Sequence, residues 1–222
     1  NTGSAWFIAP HDYAVVARDG NTGTNGGVDV TITFATMPLL ATDGSISLVM
    51  PGSPDVTVDE VIYTSGWNHR TGHSLNLSPG AWAGAMDTLN DNYEHWCHSK
   101  DSTYGLGDSG TPGQYNDDCL VGWCQLWSPL AEQVLKNGTT ELIFGRVWED
   151  NSTNIGSPGP FIMGELGYGG NDTIPDGTWS WTTATFNMDY SNDDEYMATL
   201  SPTTIGSYDY AYRFSLDGGL TW

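Results

Sequence analysis

The chain has 222 residues, enough for two domains of about 100 each. It carries 27 Asp and Glu against six Lys and Arg, a formal net charge of −21. That balance excludes nucleic acid and anionic membranes as partners, since both need a basic surface, and no apolar run approaches the ~18 residues of a membrane-spanning helix.

Lysine occurs only at Lys100 and Lys136, so polarity comes from Asp, Asn, Ser and Thr, which favour loops and strands over helix interiors. With 28 Gly, 11 Pro and 12% aromatics, the composition is that of an all-β protein. Three cysteines in such a chain point to an oxidising compartment, extracellular or at the cell surface. Asn1 is not an initiator Met and reads as the start of a mature or trimmed product.

In chain order, YAVVAR (13–18) predicts a short buried strand, and DGNTGTNGG (19–27) is turn chemistry throughout. VDVTITF (28–34) alternates, with Val28, Val30, Ile32 and Phe34 on one face, and predicts a half-buried strand. SISLVM (45–50) and TVDEVIY (57–63) flank a Pro-Gly turn, and HSLNL (73–77) is a weaker strand. Residues 81–96 have room for a helical turn, against their Gly and Asn content.

Between Cys97 and Cys119 lies a segment rich in Gly, Asp, Ser, Pro and Asn that needs a staple to stay ordered. A Cys97–Cys119 disulfide is the expected staple. Closing a loop of about 20 residues stabilises by roughly 3 kcal/mol in the chain-entropy account. Cys124 is left over, either as a free thiol or for a partner outside the chain.

The second half predicts strands in LVGWCQLWSPL (120–130), stopped by Pro129, and in ELIFGRVWE (141–149), FIMGELGYG (161–169), TWSWTTATFNM (178–188), EYMATL (195–200) and SYDYAYRFSL (207–216). In the last, Tyr208, Tyr210, Tyr212 and Phe214 share a face. Short strands at about ten-residue spacing predict β-sandwiches.

YAVVARDGN, NGGVDV, VDEVIYTSGW, GHSLNLSPG, NDNYEHWC and GLGDSGTPGQYN occur in the order found in bacterial lamin-tail-type domains, which residues 5–119 resemble. GWCQLWSP, FGRVWEDN, ELGYGG, NDDEYMATL and YDYAYRFSLDGGLTW resemble an immunoglobulin-like module that follows such domains in secreted bacterial proteins. The resemblance implies two immunoglobulin-like β-sandwiches in series, at 1–119 and 120–222, each lacking edge strands: the usual opening strands of the first and the last strand of the second have no counterpart here. Unpaired strand edges need partners. The chain is then a fragment of a longer protein, or a subunit that takes strands from its neighbours.

Candidate chemistry is sparse. GDSG (107–110) looks like a serine-protease nucleophile loop, but only His11 and Asp12 offer a loose base and carboxylate. A tight turn with Asp108 capping amides is the better reading. His69, His73, His95 and His98 lack zinc spacing on any predicted helix, so no zinc is expected. Two acidic turns are candidate calcium loops, Asp19, Asn21 and Asn25 in one, Asp193, Asp194 and Glu195 in the other. Trp179 and Trp181 with Tyr168 are candidate sugar platforms. No carboxylate pair stands out as a glycosidase acid and nucleophile. The N-glycosylation matches at Asn76, Asn137, Asn151 and Asn171 are of a kind that chance supplies in an Asn- and Thr-rich chain.

The expectation is a non-catalytic extracellular module without a required cofactor. It self-assembles into a filament by strand exchange, or serves as a carbohydrate-binding or adhesive part of a larger secreted protein.

Overall fold

The computed structural model describes all residues except 1–7, 10–11, 38–41, 68, 84–85, 118, 151 and 160. The fold is all-β, as expected. It divides into two compact units, Asn1–Asp118 and Cys119–Trp222.

The first unit is a set of two-stranded sheets. β1 (Val16–Ala17) runs parallel to β2 (Ile32–Thr33). β3 (Gly44–Met50) and β4 (Val56–Tyr63) form an antiparallel hairpin whose turn is closed by Asp55 Oδ1 accepting from Gly52 N at 2.9 Å. β5 (Leu75–Leu77) pairs with β6 (Trp96–His98), and β7 (Thr103–Tyr104) with β8 (Asp108–Ser109). Helix is confined to single turns, among them α1 (Met86–Leu89), within the stretch that had room for one. Trp67 anchors the buried cluster of this unit, with Trp96 at 5.7 Å and Tyr93 at 6.5 Å between ring centroids.

Two strand expectations shrink. The alternating run 28–34 pairs only at Ile32–Thr33. Asn25 accounts for the first residue of the run. Its side chain accepts from Val28 N at 3.0 Å and donates to Val28 O at 2.9 Å, so the backbone groups that would begin the ladder are already satisfied. The run 13–18 keeps only Val16–Ala17, and Val16 is half exposed instead of buried.

The segment between the cysteines folds as expected of a stapled loop. Cys97 and Cys119 are disulfide-bonded. Asp117 gathers its start, accepting from Ser99 Oγ, from Ser102 Oγ at 2.7 Å and from Ser102 N at 3.2 Å.

The second unit is one six-stranded antiparallel array that bends into two layers. It contains β9 (Trp123–Ser128), β10 (Ile143–Trp148), β11 (Met163–Gly170), β12 (Ser180–Tyr190), β13 (Asp193–Ala198) and β14 (Tyr208–Ser215), in the order β14-β11-β12-β13-β10-β9. β12 is shared. Residues 180–184 pair with β11, and 185–190 pair with β13 past an irregularity between Phe186 and Met188.

The core between the layers holds Ile143, Val147, Leu166, Tyr196, Tyr212 and Phe214, all nearly inaccessible. Tyr212 and Phe214 are the buried half of the expected aromatic stripe, while Tyr208 and Tyr210 stay half-buried toward the rim. Gly145 makes the packing possible. A Cβ there would lie 2.3 Å from the Tyr212 ring. Tyr212 also donates its hydroxyl to Ile143 O at 2.7 Å.

Candidate functional site

Trp179 immediately precedes β12 and Trp181 stands on it, and the loop before the strand fixes both. Trp179 Nε1 donates to Thr173 Oγ1 at 3.1 Å, and Trp181 Nε1 donates to Asp176 O at 2.9 Å. Asp176 is locked in turn by Thr178, whose hydroxyl and amide hold its carboxyl below the usual carboxylate range. The two indoles stack at 5.8 Å with planes 22° apart. Trp181 rests on Gly167 of β11, where a Cβ would stand 2.3 Å from the ring. Arg213 on β14 lies 4.0 Å over Trp181 and 4.1 Å over Trp222, with its guanidinium held by Glu165 at 2.5 Å.

Of the three residues expected as a sugar platform, Trp179 and Trp181 lie together and Tyr168 does not join them. Trp179 is buried, so it has no free face to offer. Trp181 is half-buried and already stacked on protein. Nothing in the local sequence could show that Arg213, some thirty residues away, would take that position.

Tyr168 points the other way, toward the rim of the sandwich. Two clefts meet there. One, about 520 Å³, lies between residues 132–136 and 202–208, with Tyr168, Tyr208 and Tyr210 in its wall and Ile143 and Leu200 at its base. The other, about 480 Å³, runs along Trp181, Thr182, Thr183 and Thr185 opposite Met197, Thr199 and Ser201. Tyr168 and Leu200 line both. Tyr168 and Tyr208 meet edge to face at 5.3 Å. Tyr210 is fixed by donating to Pro129 O at 2.8 Å.

Aromatic rings bordered by Ser and Thr hydroxyls, with Glu132 and Lys136 at one end, can hold a sugar ring by its apolar face while bonding its hydroxyls. Tyr208 and Tyr210 belong to this wall. The alternation of the last strand put them on one face with Tyr212 and Phe214 and could not show where the sandwich ends.

The other candidates fall out of the site. Asp19, Asn21 and Asn25 satisfy their own turn. Asp19 accepts from Asn21 N at 2.8 Å and from Thr24 Oγ1 at 2.5 Å, which lowers its pKa, and Asn21 Oδ1 accepts from Gly23 N at 2.9 Å. Glu195 is engaged by Arg146 at 2.8 Å and by Asn187 at 2.9 Å. Ser109 of the GDSG run is buried backbone-paired strand, with its N–H on Gly72 O at 2.7 Å. His11 lies outside the described residues. His69, His73 and His95 bond carbonyl oxygens, and no group of three or more His, Cys, Asp or Glu side chains among the described residues has metal-holding geometry. Cys124 is a free, exposed thiol on β9, the end strand of the array.

Comparison with known proteins gives one kind of relative. The chain is 30% identical over 135 residues to an amylopullulanase of Thermoanaerobacterium thermosulfurigenes, covering 54% of this chain and 7% of that protein. It is 25% identical over 119 residues to the amylopullulanase of Thermoanaerobacter thermohydrosulfuricus, covering 46% of this chain and 8% of the relative. That of Thermoanaerobacterium saccharolyticum is 29% identical over 120 residues, covering 46% and 9%. The chain therefore spans less than a tenth of the relatives it matches. No protein-family model matches it, and no solved structure does.

Proposed function

We propose that the chain is a non-catalytic accessory module of a larger secreted polysaccharide-acting protein, and that the clefts at Tyr168 in its second unit hold an α-glucan. Its similarity to a small part of three amylopullulanases carries this reading. The clefts at Tyr168 supply the chemistry, since aromatic rings and Ser and Thr hydroxyls line both. No helix among the described residues is long and apolar enough to cross a membrane. For the first unit the proposal keeps the lamin-tail-like reading of its sequence.

Affinity electrophoresis in gels containing soluble starch or pullulan tests this, with xylan and a soluble cellulose derivative as comparisons. The chain is retarded by the α-glucans, and Tyr168→Ala and Tyr208→Ala each reduce retardation at least several-fold. Equal mobility of the intact chain in every gel overturns the reading.

A second reading, a subunit assembled by strand exchange, is favoured by the β3–β4 hairpin. Ile46, Leu48, Met50, Val56, Val58 and Ile62 are each half or more exposed on it. An apolar patch of this kind marks an interaction surface.

A further inference from the structure

At the β12–β13 turn the second unit buries a carboxylate without a cation. Asp194 is wholly out of solvent. Its Oδ2 accepts from Gly159 N at 2.7 Å, while its Oδ1 has no hydrogen-bond partner among the described residues. A buried charged oxygen left in that condition is costly. The two arginines of this unit are engaged elsewhere, Arg146 by Glu195 and Arg213 by Glu165.

The sheet register worsens the position. Asp189 on β12 stands directly opposite Asp194. Like charges facing each other across a ladder are destabilising. Burial pushes the Asp194 carboxyl up to about 6, opposed by the Gly159 bond and reinforced by Asp189 and Asp193.

The segment 152–159 folds over this pair. Gly156 N donates to Asp189 Oδ2 at 2.8 Å, and Thr153 Oγ1 donates to Asn192 O at 2.5 Å. Backbone therefore passes within reach of both carboxylates.

We infer that Asp189 and Asp194 form a calcium site, with Asp194 Oδ1 as its buried ligand and backbone oxygens of the 152–159 segment and water completing the shell. Oxygen-only donors on an adaptable loop are what calcium takes. With two carboxylates in place of a dense acidic cage, affinity falls in the weak range of extracellular modules, Kd of the order of 10⁻⁴ M. The ligand pair differs from the Asp193, Asp194 and Glu195 trio read from the sequence. Strand alternation sends Asp193 and Glu195 to the opposite face from Asp194, and Arg146 claims Glu195.

Calorimetric titration of the full chain with CaCl₂, alongside thermal melting in calcium and in EDTA, tests the site. One ion binds per chain, and the melting midpoint rises by several degrees at millimolar calcium. Asp189→Asn and Asp194→Asn each abolish the heat and the rise; Asp19→Asn, in the other acidic turn, keeps both. In EDTA the Asp194→Asn chain melts no lower than the parent, since a buried charge has gone, and this shows that the variant is folded. Absence of heat and of any midpoint shift in the parent overturns the inference. So does calcium binding that survives both substitutions.

Discussion

Arg146 lies between two rings, with its guanidinium 3.8 Å from the Trp127 centroid and 3.6 Å from that of Tyr190, and its Nε on Glu195 at 2.8 Å. Arg213 repeats the arrangement with Trp181, Trp222 and Glu165. A planar, weakly hydrated cation suits such stacking, and lysine does not reproduce it. The sequence places Arg213 opposite the aromatic face of the last strand. It cannot show the partners of Arg146, because Trp127, Tyr190 and Glu195 come from three other strands. The Arg146–Glu195 side chains are only 7% and 9% exposed, so removing one partner strands the other. Arg146→Ala lowers unfolding free energy by about 3–5 kcal/mol. Arg146→Met with Glu195→Leu regains most of it, as an apolar pair of similar size does in place of a buried ion pair. Urea unfolding of the two singles and the double measures this, and additive losses would mean that the two side chains do not act as a pair.

Between residue and fold stands the segment Cys97 to Cys119. Its composition announced a loop in need of a staple, and the disulfide is there. The composition did not announce Asp117 as a second fastening. Burial pushes the Asp117 carboxyl up, but the hydroxyls of Ser99 and Ser102 and the amides of Ser102 and Asp101 outweigh it, so its pKa lies below the ordinary value. A carboxyl with a depressed folded-state pKa contributes stability that is present above the unfolded value, about 3.9. That stability is lost as pH falls through the lower folded value. The parent chain is therefore more stable than Asp117→Asn at pH 7, and the gap narrows as pH falls below about 4. Chemical denaturation at stepped pH measures it; a gap that persists unchanged to pH 2 sinks the electrostatic account. The contrast with residues 28–34 is instructive. There the period-two signal was clean, yet one Asn side chain took the first backbone groups and the ladder started late. Local pattern reports which face is apolar, while side-chain competition for backbone groups decides how much of the run becomes strand.

At the scale of the whole molecule two surface properties oppose each other. A net charge of −21 repels other copies, the more so because two of the six basic residues are stacked and paired within the second unit. The exposed apolar residues of the β3–β4 hairpin favour contact. Charge repulsion reaches about a Debye length, ~30 Å at 0.01 M salt and ~8 Å at 0.15 M, while apolar contact acts only at touching distance. Low salt therefore keeps copies apart, and screening lets the hairpin surface act. In sedimentation velocity the chain runs as a single species of 24.0 kDa at 0.01 M salt. Weak association, reversed by dilution, emerges above about 0.5 M salt, where the screening length falls below 5 Å. That pattern belongs to an accessory module whose apolar hairpin meets a neighbouring part of a longer protein. Strand exchange makes the opposite demand, because backbone ladders between subunits do not depend on screening and release slowly. Assemblies that persist at 0.01 M salt through hundredfold dilution would therefore make the hairpin an inter-subunit edge and move the assembly reading ahead of the accessory one.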